Sequence, residues 1–222
     1  MIKRFFDKPL GAWFDGLHLG GARPTVRIKQ LEERDRFRIR KHFLALDNDD
    51  RLLRFGTVLP DERVIAYVNN LNFARDTIYG VYNRVFKLVA VGHLAFAPKQ
   101  ASSASTAVTD KEKVAEFGVS VLAIARGQGI GSKLFQRAAI HCRNADVDTL
   151  YMQCLSSNQT MMHIAKKAGM EIHREYGEAD AYLRLPPPSP GTVMREALEE
   201  QFATIDYTLK ATNRAAAKLF ER

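Results

Sequence analysis

The sequence predicts a mixed α/β fold that ends in one long helix. Segments rich in β-branched and aromatic residues alternate with segments of helical period, and one such strand runs through a glycine-rich turn straight into a helix. Near the C-terminus, a proline-rich stretch precedes a long amphipathic pattern. The 222 residues, 46% hydrophobic and 26% charged, have the composition of an ordinary globular protein.

The first third of the chain is predicted to form an arm, one strand and three helices. Residues 1–24 carry Gly, Pro and aromatic residues without a period, and residues 25–30, TVRIKQ, alternate as a strand does. Apolar residues then recur at helical spacing through 31–46. DNDD at 47–50 supplies capping residues for a short helix, and Pro60 begins another.

Strands and helices continue to alternate as far as residue 185. The strands are predicted from their β-branched and aromatic content, and the helices from their apolar period and from Gly169 as a stop signal. In chain order they are strands at 77–83 and 84–97 joined by a turn at Asn83, a polar loop at 98–113, a strand at 114–124, a helix to about Asn144, a strand at 149–155, a helix at 157–168 and a strand pair at 170–175 and 180–185.

The net charge of +8 is concentrated at the start of the chain. Residues 1–54 hold 13 Lys and Arg against 8 Asp and Glu. Acidic Glu32, Glu33 and Asp35 are interspersed in the basic cluster, so we expect the solvated face of a helix rather than a nucleic-acid interface. A moderate positive field would equally attract a polyanionic cofactor.

No segment predicts a membrane span, a secretion signal or a metal site. No apolar run approaches the ~18 residues that cross a bilayer, and the start lacks the apolar centre and cleavage site of a signal peptide, so we expect a cytoplasmic protein. Cys142 and Cys154 are expected to be free thiols. The six histidines show no zinc-ligand spacing.

The glycine-rich turn is the strongest functional signal in the chain. RGQGIG at 126–131 joins a strand to a helix, and the N-terminus of a helix presents free backbone N–H groups to an anion. The dinucleotide pattern GxGxxG fails because Ser132 stands three residues after Gly129. The GxxxxGK[ST] pattern fails because Ser132 precedes Lys133. The turn is therefore predicted to be a phosphate seat of another kind.

RGQGIG resembles the R/QxxGxG/A signature of the GCN5-related N-acetyltransferase (GNAT) superfamily, which grips the pyrophosphate of coenzyme A at this turn. The segment at 158–170 is similar to the family's NxxAxxxYxxxGF helix, in which the Asn contacts the pantetheine arm. Within the family, the chain looks most like the acetyltransferase domain of bacterial protein lysine acetyltransferases, through RLLRF at 51–55 and AEF at 115–117.

This resemblance implies a GNAT domain at 25–185, with a twisted, mostly antiparallel sheet that splays between strands 4 and 5 and carries helices on both faces. It implies acetyl-CoA as the acyl donor and a primary amine, on a protein lysine or a small molecule, as the acceptor. It also assigns cofactor contacts to Val119, Ser120, Val121, Arg126, Gly127, Gln128, Gly129, Ile130, Gly131, Ser132 and Asn158.

Glu116 is the predicted catalytic residue. It resembles the family's general-base glutamate, which stands ten residues before the signature, because Arg126 lies ten residues further on. A lysine amine, with a pKa of about 10.4, is almost entirely protonated at pH 7, so acyl transfer is helped by a proton acceptor. We expect a half-buried carboxylate with its pKa raised by desolvation. The alternative is an outward-facing charge on an amphipathic strand.

One position departs from the family pattern. Ala165 stands where the family has the tyrosine that protonates the leaving thiolate. Tyr176, Tyr182 or His163 could substitute, and a thiolate of pKa about 8.5 can also leave without help. The missing tyrosine leaves open a second hypothesis, a non-catalytic module that binds acyl-CoA and reports it to a partner.

The C-terminal region is predicted to be a hinge and a helix. PPPSPG at 186–191 is a stiff break, and 192–222 reads as one amphipathic helix. We expect its apolar stripe to be covered, either by the helix's own domain or by a second subunit in a homodimer. The stripe comprises Met194, Leu198, Phe202, Ile205, Leu209, Ala216 and Leu219.

Overall fold

The structure is a computed structural model that describes residues 26–96 and 113–220, with side chains to residue 217. Its strands are β1 (Lys29–Leu31), β2 (Thr77–Tyr82), β3 (Leu88–Phe96), β4 (Val114–Val121), β5 (Thr149–Leu155), β6 (Glu171–Glu175) and β7 (Glu178–Arg184). Its helices are α1 (Arg36–Leu44), α2 (Asn48–Phe55), α3 (Asp61–Asn69), α4 (Ile130–Asn144), α5 (Gln159–Ala168) and α6 (Pro190–Phe220). The predicted arm at 1–24 and nearly all of the polar loop at 98–113 lie outside the described residues.

One sheet holds all seven described strands in the order β1-β2-β3-β4-β5-β7-β6. Neighbouring strands are antiparallel except β4 and β5, which run parallel. The parallel pairing is short, because β4 continues to Val121 but its register with β5 covers only Val114, Ala115 and Glu116. The mixed α/β class and the mostly antiparallel sheet that splays between strands 4 and 5 are therefore confirmed.

Helices cover both faces of this sheet. α4 and α5 pack on one face, where Phe135 of α4 meets Phe117 of β4 with ring centroids 5.6 Å apart. α1 and α3 pack on the other face, where Ile39 and Val64 are fully buried. Each such buried side chain contributes about 1.5–3 kcal/mol to folding. The opening where β4 parts from β5 therefore lies between the helices of the two faces.

α2 is a short helix that is capped at both ends. The Asp47 carboxylate accepts a hydrogen bond from Asp50 N at 2.8 Å, which satisfies one free donor of the first turn. Gly56 ends the helix in the left-handed conformation, with φ of 74°. The two caps fix the position of Arg54, whose guanidinium lies against β4 at Gly118.

Two early boundaries differ from those predicted. β1 is limited to Lys29–Leu31 because only these residues pair with β2, and a 3-10 turn at Glu33–Asp35 delays α1. β3 begins at Leu88, later than predicted, because Asn83 holds a turn in which its Oδ1 accepts a hydrogen bond from Lys87 N at 2.8 Å. The sequence predicted a turn at Asn83 but not that it extends to Lys87, and it did not predict the 3-10 turn, because the residues in both have strand-like or helical neighbours.

α6 begins at Pro190, so the last two residues of the predicted hinge at 186–191 belong to the helix. Proline is favoured at the first helical position, where its missing N–H would have no intrahelical partner. Ser189 and Thr192 cap this end reciprocally: Thr192 N donates to Ser189 Oγ at 3.3 Å, and Ser189 N donates to Thr192 Oγ1 at 3.1 Å. The break is therefore shorter, and the helix starts earlier, than predicted.

α6 lies on its own domain, against β1 and α4. Arg137 of α4 is buried at this contact, with a side chain that is 2% exposed, and Ala203 of α6 is also buried. The helix therefore docks through the side that carries its acidic residues, and Tyr207 further along packs against the rings of Tyr82 and Phe86. The Arg137 guanidinium lies 3.2 to 4.0 Å from three carboxylates of α6, those of Glu196, Glu199 and Glu200.

The apolar stripe of α6 faces away from the domain. The guanidinium of Arg27, near the start of the described residues, lies over it, 5.2 Å from the ring centroid of Phe202. The face that its period predicted would be covered is thus presented outward. Its five large described members, which we call the outer stripe and which are 47% to 67% exposed, are Met194, Leu198, Phe202, Ile205 and Leu209.

Within residues 26–96 and 113–220, no helix combines the length and the apolar character that a bilayer crossing needs. The same residues bring together no group of three His, Cys, Asp or Glu side chains that could hold a metal ion. Both cysteines are free thiols, with Cys142 buried and Cys154 half-buried.

Candidate active site

The turn between β4 and α4 has the backbone conformation that its glycines predict. Gly127 and Gly129 have φ of 75° and 70°, in the left-handed region that only glycine adopts without strain. Gly129 is also the N-cap of α4. The free N–H groups at the start of α4 therefore open onto the turn, where the helix dipole favours an anion.

A cavity of about 510 Å³ lies beside this turn, between α2, β4 and α5. We call it the donor cavity. Ten of the eleven predicted cofactor contacts line it, and the exception is Gln128, which is exposed outside it. The structure thus brings two segments, 119–132 and Asn158, to one site, although the two are far apart in the chain.

The Arg126 side chain reaches back across the mouth of this cavity to α2. Its Nη2 forms an ion pair with Asp50 Oδ1, and its Nε donates to Val121 O at 3.2 Å. This pairing ties the glycine turn to α2. An anion at the turn would compete with Asp50 for the guanidinium, whereas the backbone N–H groups have no such competitor.

Asn158 joins the two walls of the donor cavity. It is the N-cap of α5, where its Oδ1 accepts a hydrogen bond from Met161 N at 3.1 Å. Its Nδ2 donates to Leu53 O of α2 at 3.4 Å. The side chain is buried in this bridge, so Asn158 fixes the distance between α2 and α5.

The Ser120 hydroxyl is engaged by a buried histidine of α1. His42 Nδ1–H donates to Leu88 O at 3.3 Å, so its Nε2 carries the lone pair and accepts from Ser120 Oγ at 2.7 Å. Burial lowers the pKa of His42 to about 4, which keeps the ring neutral. The Ser120 side chain is therefore occupied, in line with the backbone role that the resemblance implies for this position.

Glu116 lines a second cavity, of about 240 Å³, which adjoins the first and which we call the acceptor cavity. It is the last residue of β4 that pairs with β5, opposite Tyr151. The expectation of a half-buried carboxylate is wrong, because Glu116 is exposed. The exposure agrees with the alternative, an outward-facing charge, and alternation alone could not decide between the two because the exposure depends on where β4 and β5 part. Ser120, on the same face of β4, is buried instead.

The donor cavity fits an anionic nucleotide cofactor with an apolar arm. An added Cβ at Gly127 or Gly129 would meet no heavy atom within 4 Å, so the space over the turn is open. Lys167 and Arg126 bring positive charge to the rim, and Ile164 and Met161 supply apolar wall. Charge, free backbone donors and an apolar wall are the combination that such a ligand needs.

Comparison with protein families bears on the same residues. The profile of the Acetyltransferase (GNAT) family matches residues 24–170, which include the glycine turn, Glu116 and Asn158. The chain belongs to the GNAT acetyltransferase family. A comparison with curated protein sequences gave no match.

Solved GNAT structures share the fold at low sequence identity. The GNAT domain of S. lividans PAT superposes with a TM-score of 0.57 at 18% identity, over 72% of this chain and 90% of that one. Spermidine N-acetyltransferase from Vibrio cholerae, solved with CoA and spermine, superposes with a TM-score of 0.53 at 14% identity, over 72% of this chain and 95% of that one. The yncA protein of Salmonella typhimurium, solved with acetyl-CoA, superposes with a TM-score of 0.51 at 12% identity, over 74% of this chain and 96% of that one.

The position of the family's missing tyrosine is filled by the core. Ala165 is buried in the main core cluster and is not among the residues that line the donor cavity. Of the three substitutes, His163 lines the donor cavity. Tyr176 is 97% exposed in the β6–β7 turn, and Tyr182 is exposed on β7. His163 is therefore the substitute that the structure places beside the predicted cofactor site.

Sequence reasoning missed the contribution of α2 to the site. RLLRF at 51–55 was recognised as similar to a family motif, but no role followed from it. The structure places Asp50, Leu53 and Arg54 in the wall of the donor cavity. The signal that could have found them is Arg54 at the end of a short helix, between the apolar residues Leu53 and Phe55.

Proposed function

We propose that this GNAT protein transfers an acetyl group from acetyl-CoA to a primary amine. One observation carries the proposal: the donor cavity beside the glycine turn meets the acceptor cavity, which contains Glu116, where β4 and β5 part. A thioester in the first cavity and an amine in the second would meet at that point. The CoA, spermine and acetyl-CoA bound in the two solved relatives support this assignment of ligands.

Acetyl-CoA supplies the acetyl group as a thioester, which is open to attack by an amine. We assign its pyrophosphate to the backbone N–H groups of the glycine turn and the start of α4, with Lys167 as a nearby cation. We assign the pantetheine arm to the backbone of β4 at 119–121 and to Asn158. Backbone donors on β4 beyond Glu116 are free of β5 and can bind a carbonyl oxygen.

Glu116 accepts the proton of the attacking amine. Its carboxylate lines the acceptor cavity beside the splay, so an amine in that cavity has a proton acceptor next to it. Because Glu116 is exposed, the proton can pass on to solvent after each turnover. A positioned general base of this kind contributes about 10²–10⁴-fold to the rate.

The acceptor cavity favours a cationic amine. It contains a second carboxylate, Glu178, to which Gln153 Nε2 donates at 3.0 Å. The two carboxylates outnumber the single cation that lines this cavity, Arg54, so its lining is net negative and favours an ammonium group over an anionic acceptor. We therefore propose a protein lysine or a polyamine, and the solved spermidine N-acetyltransferase supports the second class.

The variant Glu116→Gln tests the reaction, because it keeps the size of the side chain and removes the base. We expect kcat to fall by about 10²-fold, with the dissociation constant of acetyl-CoA unchanged. Thiol release from acetyl-CoA, with spermidine and a lysine peptide as acceptors between pH 6 and 9, measures the rate. Calorimetric titration measures the binding.

Glu175→Gln is the matched control, because Glu175 is an exposed glutamate of β6 outside both cavities. It should leave rate and binding unchanged. A Glu116→Gln rate equal to that of the native protein across the pH range would remove Glu116 from the reaction. A native protein that does not bind acetyl-CoA would overturn the proposed function.

The second candidate is a module that binds acyl-CoA without transferring the acyl group. Ala165, which replaces the family's tyrosine, favours it, because no tyrosine lines either cavity among the described residues. It predicts acetyl-CoA binding in the calorimeter with no thiol release for any amine. The same pair of measurements therefore separates the two candidates.

We infer further that the protein is a homodimer through α6. Leu198, Phe202, Ile205 and Leu209 are spaced by four, three and four residues, which is the a/d spacing of paired helices. They are exposed on one face, and a second copy of α6 would match the same spacing. Use of acetyl-CoA and free cysteine thiols support action in the cytoplasm.

A further inference from the structure

Arg54 occupies the place where the donor and acceptor cavities meet. Four residues line both cavities, and Arg54 is the one among them with a charged side chain; the other three are Leu53, Val119 and Met161. Under the proposed function, the thioester carbonyl must lie at this junction for the amine to reach it. The guanidinium is therefore the charged side chain that the two cavities share at the site of the reacting bond.

We propose that Arg54 binds the carbonyl oxygen of the donor thioester and stabilises the negative charge that this oxygen gains during transfer. The proposal rests on the proposed function, because it concerns the same two cavities. It makes Arg54 a catalytic residue in addition to Glu116. It also gives the RLLRF segment at 51–55 a chemical role.

Gly118 allows the guanidinium to lie directly on β4. A Cβ on Gly118 would stand 2.7 Å from Arg54 Cζ and Nη2, closer than any real contact, so no other residue is accommodated there without displacing Arg54. Gly118 comes two residues after Glu116, the last residue of β4 that pairs with β5. Arg54 thus lies beside the part of β4 that is open towards the splay.

The charge of Arg54 has no counter-ion among the described residues. No Asp or Glu carboxylate of these residues lies within 4.0 Å of it, and its buried Nε has no hydrogen-bond partner among them. Three rings surround the guanidinium instead, with centroids 5.1 to 5.9 Å from Cζ, those of Phe43, Phe55 and Tyr67. A guanidinium held by rings retains its capacity to bind a developing negative charge.

A chain of three hydrogen bonds holds Arg54 in position. Arg54 Nη2 can only donate, so the Tyr67 oxygen accepts at 2.9 Å and the Tyr67 proton goes to His93 Nδ1, also at 2.9 Å. His93 Nε2–H then donates to Asp76 Oδ2 at 3.3 Å. Burial lowers the pKa of His93, which favours the neutral ring that this arrangement requires. Tyr67 is therefore a positioning residue for Arg54.

The reaction balances without an additional reagent. The neutral amine nitrogen bonds to the carbonyl carbon, and the π electrons of the C=O bond move onto the oxygen beside Arg54. They return as the C–S bond breaks, and the sulfur leaves as a thiolate that solvent protonates. The proton of the amine goes to Glu116 and then to solvent. Arg54 keeps its proton throughout, because a guanidinium is not deprotonated in proteins.

Infrared spectroscopy tests the contact without an acceptor. Acetyl-CoA labelled with ¹³C at the carbonyl is bound to the native protein, and its C=O band is compared with that of the free compound. We expect the band at lower frequency in the complex, because a hydrogen bond from a cation polarises the carbonyl. Since no amine is present, a band shift cannot come from an acceptor group.

Three variants connect the band to Arg54. Arg54→Gln should return it towards the free position and lower kcat by about 10²-fold, while the KM for acetyl-CoA changes much less. Arg54→Lys keeps the charge without the fork geometry, so its band position and kcat should lie between those of the native protein and Arg54→Gln. Tyr67→Phe keeps the packing, removes the anchor and should also reduce the shift. Arg63→Gln, an exposed arginine of α3 outside both cavities, should change nothing.

The outcomes separate this proposal from the proposed function. If the native protein binds acetyl-CoA and acetylates an amine, but the band is the same in native protein, Arg54→Gln and Tyr67→Phe, the proposal for Arg54 is wrong and the function stands. If the native protein does not bind acetyl-CoA, the function falls and the proposal falls with it. A shift lost in Arg54→Gln and reduced in Tyr67→Phe supports both.

Discussion

His42 is a buried histidine that this fold keeps neutral. Its two ring nitrogens are satisfied by Leu88 O and Ser120 Oγ, and neither partner compensates a positive charge. Burial lowers the pKa of His42 to about 4 from its ordinary value of 6.5. In the unfolded chain the same ring takes up its proton near pH 6.5. The unfolded state therefore binds more protons than the folded state between these values.

We predict that the free energy of unfolding falls as pH decreases from 6.5 to 4, with His42 responsible for about 3 kcal/mol of the loss. Above pH 6.5 both states hold the ring neutral, and stability is independent of this group. In His42→Gln, the loss over the same range should shrink by about that amount. Urea unfolding at several pH values between 4 and 7.5 measures it.

His173→Gln is the control for this prediction, because His173 is exposed on β6. Its loss of stability over the range should equal that of the native protein. His93, whose pKa is also lowered by burial, should leave a smaller slope of the same sign in His42→Gln. If the free energy of unfolding depended on pH equally in the native protein and in His42→Gln, the pKa of His42 in the folded state would be its ordinary value and the prediction would be wrong.

For single residues, the sequence predicted which of them belong to the site better than it predicted what surrounds their side chains. Glu116 could be found by its distance from Arg126, but its exposure could not, because it depends on where β4 leaves β5. The position of Arg54 at the cavity junction depends on contacts with Gly118 and Tyr67, which are 64 and 13 residues away in the chain. No local pattern encodes contacts of that kind.

Among the elements, the β4–α4 turn allows the sharpest test. Gly129→Glu puts a carboxylate into the proposed phosphate seat and forces a side chain into a φ of 70°. We predict that acetyl-CoA binding is lost, because the carboxylate repels the pyrophosphate and occupies its place. Backbone strain alone should cost about 1–2 kcal/mol of stability. Calorimetry measures the binding, and urea unfolding measures the stability.

Gly177→Glu separates strain from repulsion. Gly177 lies in the β6–β7 turn with φ of 88°, and a Cβ there would also meet no heavy atom within 4 Å. Its variant should lose a similar amount of stability and bind acetyl-CoA as the native protein does. Retained binding in Gly129→Glu would show that the cofactor is held elsewhere and that these glycines only turn the chain.

α6 shows how far an element can be predicted from its own residues. Its helical period and apolar stripe were readable, and so was the proline break before it. The face that docks was not, because docking depends on Arg137, a buried cation from α4 that binds the acidic side of α6. Of the two covers that the sequence left open, the helix's own domain is not the one: α6 docks through its acidic side and Tyr207, which leaves the outer stripe exposed.

At the scale of the whole molecule, the outer stripe bears on the oligomeric state. A helix of 31 residues is about 46 Å long, and a stable dimer interface buries about 800 Å² on each partner. The α6 pair would therefore be the centre of the interface, with neighbouring surface such as Arg27 at its edge. Deleting α6 is a poor test, because it would also strip buried Arg137 of its carboxylates.

We predict that the native protein in solution has a mass of twice the 25.0 kDa of one chain. The double variant Phe202→Glu with Leu209→Glu should have the mass of a single chain. Two carboxylates at adjacent a positions would face their copies across an apolar seam, which disfavours pairing. Both side chains are more than half exposed and the carboxylates that pair with Arg137 are kept, so α6 should stay docked and circular dichroism should be unchanged. Ala217→Glu, an exposed position of α6 outside the stripe, should remain a dimer. A native protein of 25.0 kDa at high concentration would rule out the helix pair.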